Sequence, residues 1–156
     1  MTLQLDFAKL SGTDVLDMAI AIESEAELYY EQLADWVTDG DPQVRDPFTR
    51  MAKLERHHHD QIIAQRKRLY GDAPASNADK VSWAVEMPDF DALPTGATLR
   101  HAFDIAMESE TRAFDFYSGA LDYVTDDKVS KLFKDLSAAE AQHKRMLREE
   151  MDRHFA

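Results

Sequence analysis

The stretch AIESEAELYY, residues 21–30, sets three glutamates, Glu23, Glu25 and Glu27, just ahead of a tyrosine pair, and a near-copy, AMESETRAFDFY, fills residues 106–117. Alternating three- and four-residue steps keep to one face of a helix. In the first segment those steps give Leu16, Ala19, Glu23, Ala26, Tyr30, Leu33 and Val37. The second gives Phe103, Ala106, Glu110, Ala113, Tyr117, Ala120 and Val124. Each seam is apolar or aromatic except for a single glutamate. Matching the two ESE triplets literally would pair Glu23 with Glu108 and set Tyr30 against Asp115 and Ala19 against Asp104. Pairing Glu23 with Glu110 and Tyr30 with Tyr117 preserves the faces and is the register adopted. It turns Glu23 inward and leaves Glu25 and Glu31 as solvated charges, while Glu27, one turn past Glu23, flanks the seam.

Two more seams carry the same signature. One runs Phe48, Met51, Glu55, His58, Ile62, Gln65, Leu69, and the other Phe133, Leu136, Glu140, His143, Leu147. The chain therefore reads as a repeated helix hairpin, with Glu55 matching Glu140 and His58 matching His143. Eleven glutamates and six histidines in 156 residues give roughly 0.4 Glu-x-x-His pairs by chance. Two such pairs, each on an apolar seam and about 30 residues after an inward glutamate, exceed that expectation.

Composition bounds the rest. Five glycines, five prolines and 44% hydrophobic residues in 156 suit an all-α globular chain, read as one domain spanning residues 1–156. Helices are expected over about 13–38, 42–70, 96–125 and 127–153, with Thr13 or Asp14 capping the first, Gly71 ending the second and Asp126 capping the fourth. Short connections make each pair an antiparallel hairpin. The residues between, about 71–95, read as a long crossover returning along the bundle, pinned by Trp83, Val85, Met87, Phe90 and Leu93. No apolar run suits a membrane span or a secretory signal, so the expected compartment is the cytoplasm. A net charge of −12 speaks against nucleic acid and anionic membrane as partners.

The absence of cysteine excludes thiolate nucleophiles, iron–sulfur clusters and Cys-ligated metals. A metal must then be held by His and carboxylates. Four buried carboxylates would each cost several kcal/mol without countercharge, and two divalent cations would cancel their −4. His57 and His59 point to either side of His58 and read as surface residues, as do His101 and His154. Met18, Met51, Met107 and Met146 read as packing.

Glu23, Glu55-x-x-His58, Glu110 and Glu140-x-x-His143 resemble the di-iron ligand set of the ferritin-like superfamily, and the Glu-x-x-Ala-x-x-x-Tyr segments resemble its rubrerythrin branch. The likeness covers residues 12–154. It implies a ferritin-like four-helix bundle holding two iron ions, with Glu55 and Glu140 bridging them, Glu23 and Glu110 terminal, and His58 and His143 each capping one. Tyr30 and Tyr117 would hydrogen-bond ligand carboxylates. Manganese or zinc would suit the same donors.

Two features depart from that pattern. Full rubrerythrins append a Cys-ligated rubredoxin domain that supplies electrons, and this chain has no cysteine. They also carry a further glutamate one turn after the third-helix ligand, where Ala113 stands here, which makes the set more like the symmetric six-ligand centres of bacterioferritin. The resemblance implies an oxidoreductase that reduces hydrogen peroxide or dioxygen with electrons from an external donor, in peroxide stress defence. A ferroxidase or iron-storage role and a redox-silent, metal-stabilised partner-binding bundle are the alternatives. The chain lacks the fifth helix typical of cage-forming ferritins, so a homodimer is expected.

Overall fold

Ser11 and Asp14 open the first long helix by a reciprocal clasp. The Ser11 hydroxyl accepts from the Asp14 amide at 3.1 Å, and the Asp14 carboxylate accepts from the Ser11 amide at 3.0 Å. This capping box sets the cap at Ser11, two residues before the first of the expected caps, because only there does each side chain meet the other's free amide. In the computed structural model, which describes residues 6–36, 42–74 and 98–155, four long helices follow. They are α1 (Gly12–Trp36), α2 (Pro42–Tyr70), α3 (Leu99–Ala120) and α4 (Asp127–Phe155), preceded by a one-turn 3-10 helix, Phe7–Lys9.

Each boundary has a local cause. Gly71, at φ +58°, takes the left-handed conformation that ends α2. Thr98 caps α3, its hydroxyl accepting from the His101 amide at 3.2 Å. That helix stops at Ala120, short of the expected Thr125, since Asp122, Tyr123, Val124 and Thr125 are all weak helix formers. The Asp126 carboxylate accepts from the amides of Lys128 and Val129, both at 3.0 Å, and starts α4. Most of the expected crossover, with its five pinning residues, lies outside the described residues, as does Val37.

α1 packs closely on α2 and α3 on α4, while lighter contacts of α1 with α3 and of α2 with α4 close the bundle. Directions follow from side-chain pairs. Arg66 binds Asp17 and Arg56 binds Glu27, so ten residues forward along α1 match ten backward along α2, and the hairpin is antiparallel. Tyr30 reaches Glu110 and Tyr117 reaches Glu23, which makes α1 and α3 antiparallel as well. The result is an all-α, ferritin-like four-helix bundle of two hairpins, with no strand among the described residues. No helix of the described residues is long and apolar enough to cross a membrane.

The core falls into two apolar clusters. One gathers Leu16, Met18, Ile22, Ile62, Phe116, Tyr117 and Phe133, the other Tyr30, Leu33, Phe48, Met51, Phe103 and Leu147. The glutamates and histidines of the four seams lie in the layer between them. Close packing on both sides holds that layer in place.

Candidate metal centre

All four seam glutamates are buried: Glu23 is 0% exposed, Glu55 and Glu140 1% and Glu110 2%. His143 is buried with them, and His58 is the most open of the six, its side chain 11% exposed. Each helix delivers its residues by the periodicity already described. Glu-x-x-His sets both donors one turn apart on α2 and again on α4.

Their donor atoms converge into two groups. Glu23, Glu55, His58 and Glu140 place one oxygen or nitrogen each within 4.8 Å of one another, and so do Glu55, Glu110, Glu140 and His143. Glu55 and Glu140 belong to both. The Nδ1 atom of His58 lies 3.6 Å from Glu23 and 3.9 Å from Glu140. That of His143 lies 2.8 Å from Glu55, 3.4 Å from Glu110 and 3.7 Å from Glu140. The imidazoles stack, with ring centroids 5.8 Å apart. An approximate two-fold thus exchanges the hairpins and the two groups.

The facing atoms have no hydrogen-bond partner: Glu23 Oε2, Glu55 Oε1, His58 Nδ1, Glu110 Oε2, both oxygens of Glu140 and His143 Nδ1. Buried polar atoms are normally satisfied, and seven unsatisfied ones aimed at a common space form a donor set that could hold cations. The remaining oxygens of the outer glutamates are satisfied across the two-fold. Tyr117 Oη donates to Glu23 Oε1 at 2.6 Å, and Tyr30 Oη donates to Glu110 Oε1 in a short contact. Burial, reinforced by the glutamates, pushes both phenols well above their ordinary range, so they remain donors.

Protonation shows how strained the layer is when only protons balance it. Burial first, and then the neighbouring carboxylates, drives Glu55 and Glu140 well above the usual carboxylate range. At Glu23 burial acts in the same direction but is outweighed by contacts with Glu55, His58 and Tyr117, which leave it lowered. Burial also works against the imidazolium of His143, yet Glu110 and Glu140 push it up to about 10. Carboxylates this close cannot all ionise without a countercharge.

A family comparison agrees with this arrangement. The rubrerythrin family model matches residues 14–151. The chain belongs to the rubrerythrin family. Two solved structures share the fold. A hypothetical protein from Pyrococcus furiosus is 20% identical over 96% of this chain and 95% of its own, with a TM-score of 0.75. An uncharacterized conserved protein from Magnetospirillum magnetotacticum is 25% identical over 92% of this chain and 95% of its own, with a TM-score of 0.72. No curated protein matches the chain.

For a rubrerythrin, the residues around the layer are informative. Ala113, buried at 5% exposure, leaves no seventh carboxylate on the α3 seam. Glu27 stays outside the donor groups, half-buried and paired with Arg56 at 3.3 Å across the α1–α2 groove. Glu31 is exposed as expected, but Glu25 is half-buried. His57 and His101 are exposed, and His59 is half-buried beside Asp60 at 3.2 Å. The side chain of His154 lies outside the described residues. Met18 and Met51 are in the core, with Met107 and Met146 packed at its margin. Sequence reasoning missed the clamp at the end of α2, where Arg66 binds Asp17 at 2.7 Å and the Ala73 carbonyl at 2.6 Å. Its one trace in the sequence is an Asp and an Arg near facing helix ends.

Proposed function

We propose that this rubrerythrin-family chain is a non-haem di-iron carboxylate oxidoreductase that reduces hydrogen peroxide or dioxygen with electrons from an external donor. The observation that carries the reading is the pair of four-donor groups sharing Glu55 and Glu140, with unpartnered buried atoms facing the space between. Glu23 and His58 would hold one iron, Glu110 and His143 the other, and Glu55 and Glu140 would bridge them. When bound, the iron pair supplies two electrons for reductive cleavage of an O–O bond. The protein's own part is positional. Tyr30 and Tyr117 fix the outer carboxylates so that one oxygen of each faces the cations. The two apolar clusters keep bulk water from both sides of the layer and strengthen its electrostatics. The slight opening at His58 is the side from which a small oxidant would arrive.

We further propose that the chain works as a homodimer in the cytoplasm. A ferroxidase role is the second reading, favoured by Ala113 on the α3 seam, which leaves the two donor groups alike. Metal analysis followed by stopped-flow mixing of the iron(II)-loaded protein with peroxide and with oxygen tests both. Two irons per chain, oxidised rapidly by peroxide and turned over with reductant, support the first reading. Uptake far beyond two irons per chain supports the second. Tight metal binding with no redox response would leave neither.

A further inference from the structure

We propose that Tyr123 is the surface terminus of an electron-transfer path that leads through Phe7, Phe116 and Tyr117 to the Glu23 side of the metal centre, so that electrons enter and oxidising equivalents leave the protein there. The inference rests on the redox reading above.

The path is continuous. Tyr117 donates its hydroxyl to Glu23 at 2.6 Å. Its ring meets Phe116 edge-on at 5.4 Å between centroids. Phe116 lies 5.6 Å from Phe7. Phe7 in turn stacks on Tyr123 at 5.8 Å, with the planes 22° apart. Tyr123 is 53% exposed. The close seat of Phe7 depends on Gly119, where an added Cβ would come within 2.8 Å of the Phe7 ring. The short N-terminal helix thus inserts one aromatic ring between a buried tyrosine pocket and a surface phenol.

The pseudo-symmetric route from the other tyrosine ends differently. Tyr30 leads to Phe48 at 6.3 Å, Phe103 at 5.2 Å and Phe155 at 6.0 Å, where Arg100 covers the ring. A phenol gives up one electron and one proton far more readily than a benzene ring does. Among the described residues, only the Tyr117 route therefore joins two oxidisable rings, one at the site and one in solvent, with Phe7 and Phe116 as the coupling medium between them. Tyr70, the other exposed tyrosine at 37%, abuts Gly12 at the start of α1 and serves as a control.

The first hydrogen peroxide per chain would take its two electrons from the iron(II) pair, and further peroxide, with no other reductant present, takes them from the protein. Each hydrogen peroxide, its O–O bond broken, takes two electrons and two protons and leaves as two waters. Two Tyr123 phenols on two chains each supply one electron and one proton, and the two phenoxyl radicals couple through a new C–C bond to dityrosine.

The test loads the full chain with iron(II) under anaerobic conditions and adds several equivalents of hydrogen peroxide per chain with no other reductant. Denaturant-resistant dimers with dityrosine fluorescence are expected, with the linkage mapped to Tyr123 by peptide mass spectrometry. Tyr123→Phe should abolish them and slow the consumption of peroxide beyond the first equivalent, with iron content unchanged, and Tyr70→Phe should change nothing. Phe7→Leu should remove most of the cross-linking while leaving Tyr123 exposed and the iron retained, an effect that simple surface oxidation would not show. Equal cross-linking in the metal-free protein, linkage at Tyr70, or an unaffected Phe7→Leu would overturn the path. If peroxide is consumed and Tyr123 is unmarked, the path fails and the redox reading stands. If the wild type neither retains iron nor consumes peroxide, both fail together, and those two measurements show it.

Discussion

Glu23 and Glu25 are two positions apart on α1, yet one is wholly buried among donors and the other is half-buried on the outer face. Under the proposed assignment, Glu23→Ala should lose metal from its half of the centre, whereas Glu25→Ala should keep both ions. Equal occupancy by metal analysis would refute the assignment. Tyr117→Phe is subtler. It deletes the 2.6 Å bond to Glu23 and nothing else, and loss of a hydrogen bond to a metal ligand typically weakens binding by about 10-fold or more. Competition with a chelator should show that weakening, with folded structure unchanged by circular dichroism. The inward glutamates were legible because a lone acid on an apolar seam is carried into the core when the seam packs. Which carboxylate each tyrosine serves was not legible. Helical periodicity gives the face of Tyr30 and Tyr117, but only the packing of α1 against α3 carries each hydroxyl to the opposite hairpin's glutamate.

At the scale of the element, helix ends differed most from expectation, for a physical reason. Ser11, Thr13 and Asp14 are all competent caps, and the choice among them turns on which side chain meets a free amide. The end of α2 combines a legible and an illegible feature. Gly71 is readable as a terminator, while the Arg66 clamp on Asp17 and Ala73 depends on where the helices happen to face. A Cβ added at Gly71 would meet nothing within 4 Å, so its φ of +58° is the whole constraint. Gly71→Ala should therefore destabilise the protein by about 1 kcal/mol, and Gly71→Asn by less, as read from denaturant midpoints. No loss in the alanine variant would mean that α2 can end in another way.

The whole bundle couples the charge layer to its stability. Without metal, Glu55 and Glu140 are held well above the 4.5 of an ordinary glutamate, and His143 is held at about 10 against 6.5. Unfolding restores the ordinary values, so from about pH 5 upward the folded chain binds more protons than the unfolded one. Stability then falls as pH rises, by about 1.4 kcal/mol per pH unit for each proton of difference. Glu23 is shifted the other way, and its contribution is lost as the pH drops below 4.5. The metal-free protein should accordingly melt highest in weak acid and lose stability through neutrality. Cations reverse the sign, because they bind deprotonated donors and expel the same protons, so their affinity rises with pH. The melting temperatures of metal-loaded and metal-free protein should therefore diverge between about pH 5 and pH 8. Zinc, which has no redox chemistry of its own, can serve as the ion in parallel calorimetric scans at constant ionic strength. A gap that narrows with pH, or a metal-free protein that becomes more stable toward pH 8, would show that protons and cations do not compete for this layer.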